Sequence, residues 1–112
     1  MIPKSGGGFT TIGGINMEEN DWLKLYFKIQ NDPSKSKGLH CPICKNQSIR
    51  FQYVGDERNM TGILSIWCGS CLKGIQVGKV NIPKNIAFLS TNLPEEEIRK
   101  RIPNFQLIAH FN

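Results

Sequence analysis

The only cysteines in this 112-residue chain stand in two close pairs, Cys41-Pro42-Ile43-Cys44 and Cys68-Gly69-Ser70-Cys71. Two residues between cysteines let the backbone curl until both sulfurs face one point, and two such turns supply the closed tetrahedron of thiolates that a zinc ion takes. The spacing therefore predicts one structural Zn2+ held by Cys41, Cys44, Cys68 and Cys71, with no open position for a substrate. Turns of this kind need a residue at positive φ just beyond the second cysteine, and Asn46 and Gly74 are types that tolerate it. Pro42 stiffens the first turn. The gap from Lys45 to Trp67 is slightly longer than the common zinc spacing of about 15 to 20 residues, and a hairpin within it absorbs the difference. His40, beside Cys41, reads as a loop histidine because four cysteines already fill the shell; replacement of one sulfur by its imidazole is the alternative.

Competing uses of the cysteines fit less well. The opening Met1-Ile2-Pro3-Lys4-Ser5-Gly6-Gly7-Gly8 has no apolar signal-peptide core, so the expected compartment is the reducing cytoplasm, where thiols bind metal rather than pair. A redox pair calls for a single Cys-x-x-Cys heading a helix, whereas both pairs here sit beside strand-like runs. The chain offers no Ser/His/Asp set and no carboxylate pair, and Gly6-Gly7-Gly8 lacks the Lys-Ser/Thr that completes a phosphate loop. The expectation is a non-enzyme with no small-molecule substrate.

At 39% hydrophobic residues the chain is one small domain with a modest core. A structural zinc adds an apparent free energy on the order of 10 kcal/mol to folding when the site exists only in the folded chain. No apolar run approaches the roughly eighteen residues that span a bilayer, so no membrane partner is expected. The formal charge of +5 counts the cysteines as neutral; four thiolates and one Zn2+ lower it to about +3. Much of that excess lies between Asn31 and Arg50, where Lys35, Lys37, Lys45 and Arg50 face a single Asp32. The patch reads first as a solvated linker and strand edge, with nucleic-acid contact as the alternative.

These residues need elements to hold them, and the sequence divides into four segments. Residues 1–16 are glycine-rich and read as a flexible arm or a non-native extension, with a native start at Met17 one option and an Asn16/Glu19 capping box arguing against it. Residues 17–38 are a helix and linker. From Glu18 to Gln30, Trp22, Leu25, Tyr26 and Ile29 recur at i, i+3, i+4 and i+7, and Leu23 and Phe27 widen the apolar face. That face either covers a sheet or, as a partner surface formed by Trp22, Leu25, Tyr26 and Ile29, docks on another chain or a second copy. Asn31-Asp32-Pro33 ends the helix, and a Ser/Lys/Gly linker follows.

Residues 39–82 predict a three-stranded antiparallel zinc ribbon. Ile49, Phe51 and Tyr53 alternate on one strand, a polar turn spans 55–62, Ile63–Trp67 returns, and 74–82 leaves with Ile75, Val77 and Lys79 on one side. Residues 83–112 predict a short strand over 86–89, a helix over 93–101 opened by an Asn92/Glu95 capping box, and a closing strand in which Phe105, Leu107, Ala109 and Phe111 alternate. The fold class is small α+β: the ribbon, an N-terminal amphipathic helix and a short C-terminal helix.

The Cys-Pro-Ile-Cys and Ile-Trp-Cys-Gly-Ser-Cys runs and their flanking strands resemble a zinc ribbon over residues 39–82. More narrowly, Phe51-Gln52-Tyr53-Val54-Gly55-Asp56, Ile66 through Gly74, and Arg101-Ile102-Pro103-Asn104-Phe105 are similar to small bacterial four-cysteine zinc-ribbon proteins without an assigned function. The resemblance implies the same four ligands and no catalytic residue. The functional expectation is a zinc-stabilised adaptor that contacts a protein partner or self-associates; the alternative is a nucleic-acid-binding zinc ribbon using the basic patch, since zinc ribbons at large include many parts of the transcription and translation machinery.

Overall fold

The computed structural model describes residues 17–112, and the expectations for residues 1–16 lie outside them. Alternation in the aromatic run builds strand β1, Ile49–Asp56, which turns over at 57–60 into β2, Thr61–Cys68; β3, Lys73–Asn81, then leaves the second cysteine pair. The three pair antiparallel, with Ile49 opposite Cys68, Tyr53 opposite Leu64 and Leu64 opposite Val77. Directly opposed residues share a face, so Tyr53, Leu64 and Val77 form one row and Phe51, Ile66 and Ile75 the next. Gly55 and Gly62 face each other beside the turn, and a Cβ on Gly62 would collide with the Val54 carbonyl.

The expected ribbon is the centre of a larger sheet. Strand β4, Phe88–Ser90, adds parallel to β1, and β5, Gln106–Phe111, adds parallel to β3, giving five strands in the order β4-β1-β2-β3-β5. The three-stranded antiparallel description is therefore corrected to a five-stranded mixed sheet within a small α+β fold. Bare edges on β1 and β3 would leave rows of unpaired backbone groups, and the C-terminal segment supplies strands to both. Two local departures have a backbone cause. Lys79 takes φ 56°, and a bulge between Gly62 and Leu64 offsets the ladder, so Val80 enters the core while Lys79 faces solvent. In β5 a shift opposite Gly74 and Ile75 leaves Leu107 exposed and packs Ile108 with Ala109 and Phe111.

Helix α1, Met17–Asn31, covers the apolar face. Trp22 and Ile29 are fully buried and Leu25 nearly so, in one cluster with Tyr53, Leu64, Ile66 and Ile75. Tyr53 Oη donates to Gln30 Oε1 at 2.7 Å, and Gln30 Nε2 donates to the Asn81 carbonyl, which ties the helix end to both β1 and β3. The possible partner surface is thus corrected: Trp22, Leu25 and Ile29 are core, Tyr26 is half-buried against it, and the large apolar side chain that the described part of this helix exposes is Phe27, at 63%. A sheet with one apolar face needs a cover, and this helix is the element that supplies it.

The expected linker is a 3₁₀ helix, Pro33–Gly38, capped by Asp32, whose carboxylate accepts from the Ser34 amide and hydroxyl. The C-terminal helix α2 is short, Glu95–Arg99, with Pro94 at its cap position and no side-chain cap, so the Asn92/Glu95 capping box does not form. The Asn92 amide instead donates to Ser90 Oγ. Its charges pair within the segment, Arg99 with Glu95 and Lys100 with Glu97. Beyond it, Phe105 stacks on Trp67 with ring centroids 5.8 Å apart, on the sheet face opposite α1.

Burial, with the neighbouring Tyr26 as a lesser cause, pushes the Tyr53 hydroxyl up to about 12 from an ordinary 10. The folded state therefore keeps a proton that the unfolded chain releases, and stability present below pH 10 is lost as pH rises toward 12. Urea melts at pH 9 and 11.5 should show a loss of about 2 kcal/mol that largely disappears in Tyr53→Phe, which at neutral pH is weaker by about 1 kcal/mol.

Candidate metal centre

Each cysteine pair folds into the same turn. Lys45 N–H donates to the Cys41 carbonyl at 3.0 Å, and Leu72 N–H to the Cys68 carbonyl at 2.9 Å. The backbone reverses at those two residues, Lys45 with φ 68° and Leu72 with φ 54°. Left-handed residues do stand just past the second cysteine, one place earlier than Asn46, while Gly74 does a different job. It pairs with Trp67 on β2, and a Cβ there would strike the Ile66 carbonyl. Lysine and leucine are poor markers of positive φ, so residue type pointed past them; their shared place after each pair is the signal that finds them.

Backbone amides inside each turn aim at its first sulfur. Ile43 and Cys44 N–H donate to Cys41 Sγ at 3.3 and 3.4 Å, and Ser70 N–H to Cys68 Sγ at 3.3 Å. The two turns are clasped together: Gly69 N–H donates to the Ser48 carbonyl at 2.7 Å, and the Ser48 and Ser70 hydroxyls share a hydrogen bond at 2.7 Å. The first turn is closed by Cys41 N–H donating to the Asn46 carbonyl and by Lys45 Nζ donating to the Pro42 carbonyl. Sequence reasoning missed the serine clasp, because nothing in 22 residues of separation marks the pair.

Four sulfurs result within 4.8 Å of one another. Cys41 Sγ lies 3.7 Å from Cys71 Sγ and Cys44 Sγ lies 3.5 Å from Cys68 Sγ. A tetrahedron with metal–sulfur bonds of about 2.3 Å has edges of about 3.8 Å. A disulfide needs about 2.05 Å, and all four are free thiols. The donor set therefore fits one divalent ion that accepts four soft ligands.

Electrostatics point the same way. Burial, aided by the Cys41 and Cys68 thiols, pushes Cys71 up to about 12, and burial likewise raises Cys41. At Cys68 burial also acts upward, but amide hydrogen bonds from Cys71 and Ser70 and the Cys44 thiol outweigh it and bring the group to about 7. Cys68 is the thiol most easily ionised, and each further ionisation meets both desolvation and an existing negative charge. A cation at the centre reverses both effects.

The remaining sequence candidates scatter. His40 is exposed beside the four-sulfur cluster. Of the basic patch, Lys45 is spent on the Pro42 carbonyl and Lys35 sits by the Asp32 carboxylate. Lys37 and Arg50 do converge, and they line one cleft with Arg101 from the turn after α2. Arg101 comes from 51 positions beyond Arg50, and only the closing of the sheet brings it there. No protein-family model matches this chain, and no curated protein or solved structure matches it either.

Two outcomes follow from this geometry. Leu72 is half exposed and carries a left-handed backbone that costs roughly 1 kcal/mol outside glycine, so Leu72→Gly should leave metal stoichiometry unchanged and raise thermal stability slightly, read by calorimetry. Because a bound ion holds all four sulfurs as thiolates, its contribution is present at neutral pH and lost as pH falls. Zinc affinity by competition titration should weaken by at least about a hundredfold per pH unit below 7, two or more protons being exchanged per ion.

Proposed function

We propose that the chain is a non-catalytic binding module whose sheet is held by one structural zinc ion. The closed box of four Sγ atoms carries this reading. Four sulfur donors complete a tetrahedral shell, which leaves no position for a metal-activated water, and zinc suits that shell because it adds no redox chemistry or geometric demand. Residues 41–44 and 68–71 flank the end of the β1–β2 hairpin, so one ion would lock the register from which the rest of the sheet is built. Thiols kept for metal must stay reduced, which favours the cytoplasm. No helix among the described residues is long and apolar enough to cross a membrane.

The two kinds of partner are unevenly supported. With most of the α1 stripe in the core, support for a protein partner or self-association narrows to the outer side of that helix, where Phe27 is exposed and its ring lies 5.1 Å from that of Tyr26. The convergence of Lys37 and Arg50 on one cleft favours the second reading, contact with nucleic acid.

Metal analysis after purification without added zinc should give about one zinc per chain, and Cys68→Ser should bind less than one and unfold at much lower temperature. A chain whose circular dichroism is unchanged by a strong chelator, or that carries iron in place of zinc, overturns the reading. Light scattering of the wild type and Phe27→Ser tests self-association: a dimer abolished by the substitution supports it, and a monomer at all concentrations removes it.

A further inference from the structure

On the sheet face away from α1, the row Arg50–Trp67–Gly74 lies next to Gln52–Ser65–Gln76. Strand β4 pairs only with Tyr53, Val54 and Gly55, so the metal end of β1 has the 3₁₀ helix beside it rather than a strand. The result is a cleft of about 320 Å³ lined among others by Ser36, Lys37, Arg50, Gln52, Trp67 and Arg101. Its three cations come from three separate elements, all are exposed, and no acidic residue lines it. None of the three has an ion pair or side-chain hydrogen bond among the described residues, whereas Lys24, Arg58, Arg99 and Lys100 each have a carboxylate. Three like charges held together repel, and an anion offsets that repulsion.

We propose that this cleft binds the phosphodiester backbone of a single-stranded nucleic acid. Two guanidinium forks match phosphate oxygens in bidentate geometry, and Lys37 adds a mobile point charge. Gln52 donates its Nε2 to the Tyr53 carbonyl at 2.9 Å, which leaves its Oε1 free to accept from a base edge. The inference rests on the zinc reading in one respect: Arg50 lies across Gly69 of the second cysteine turn, where even a Cβ would come within 3.3 Å of its Nε, so the metal centre positions one wall of the cleft.

The test uses the full chain with its metal and a fluorescein-labelled oligothymidylate, followed by anisotropy from 50 to 300 mM salt. Neutralising three phosphates predicts a slope of log affinity against log salt of about −2, from about −0.7 per phosphate. Arg50→Gln, Arg101→Gln and Lys37→Gln should each weaken binding about five- to tenfold at low salt and each flatten the slope by about 0.7. Lys84→Gln, beyond the opposite end of the β1–β2 hairpin, should change neither. Zinc content and melting temperature are measured on every variant first. Full zinc with no oligonucleotide binding at 50 mM salt overturns this proposal and leaves the metal reading standing; binding by a chain that holds no zinc does the reverse. Equal losses in Lys84→Gln, tighter binding of a duplex of the same length, or displacement by polyglutamate at equal charge concentration also overturns it, the last in favour of an acidic protein partner.

Discussion

Four thiols within 4.8 Å of one another cannot all ionise unless something positive stands between them, and the rest of the architecture is organised around that constraint. The sulfurs are delivered by two turns of like backbone form, each with an amide-to-carbonyl bond spanning its cysteine pair and a left-handed residue just after it. The serine clasp and the Ile49–Cys68 pairing hold them face to face, so sulfur placement, turn geometry and strand register are parts of a single arrangement.

From that end the sheet acquires two unlike faces. One takes Tyr53, Leu64, Ile66 and Ile75 and is sealed by Trp22, Leu25 and Ile29. The other carries Arg50, Gln52, Val54, Ser65, Trp67 and Gln76, and is met by the short α2 segment, Ile102 and the Phe105 ring over Trp67. The second face is mixed, with Trp67 and Ile102 buried beside the polar rows, so the larger apolar core lies under α1. A metal held by all four sulfurs would have no open position, so what the chain offers to a partner is its surface: the face away from α1 and the outer side of that helix.

Local chemistry was legible where neighbours in sequence are neighbours in space. The cysteine spacing, the alternation along β1 and the periodicity of α1 each depend on contacts a few residues apart, and each appears in the structure. Legibility failed where two elements compete or meet. A wide apolar stripe on a helix reads first as a cover for a sheet and second as a docking surface, and the apolar face of the sheet takes it as cover. Charge clustering along residues 35–50 did not mark the cleft: Lys45 donates to the nearby Pro42 carbonyl, while Arg101 arrives from the far end of the chain.

By itself the sequence determined which four cysteines come together, the helix and the central hairpin, because thiol spacing and side-chain period are properties of a short run of backbone. Only the tertiary structure decided that the ribbon would become a five-stranded mixed sheet, that Trp22 would be core, and that Lys37, Arg50 and Arg101 would share a cleft. Those outcomes come from edges needing partners and faces needing cover, which are demands of the assembled sheet and leave no trace in any single segment.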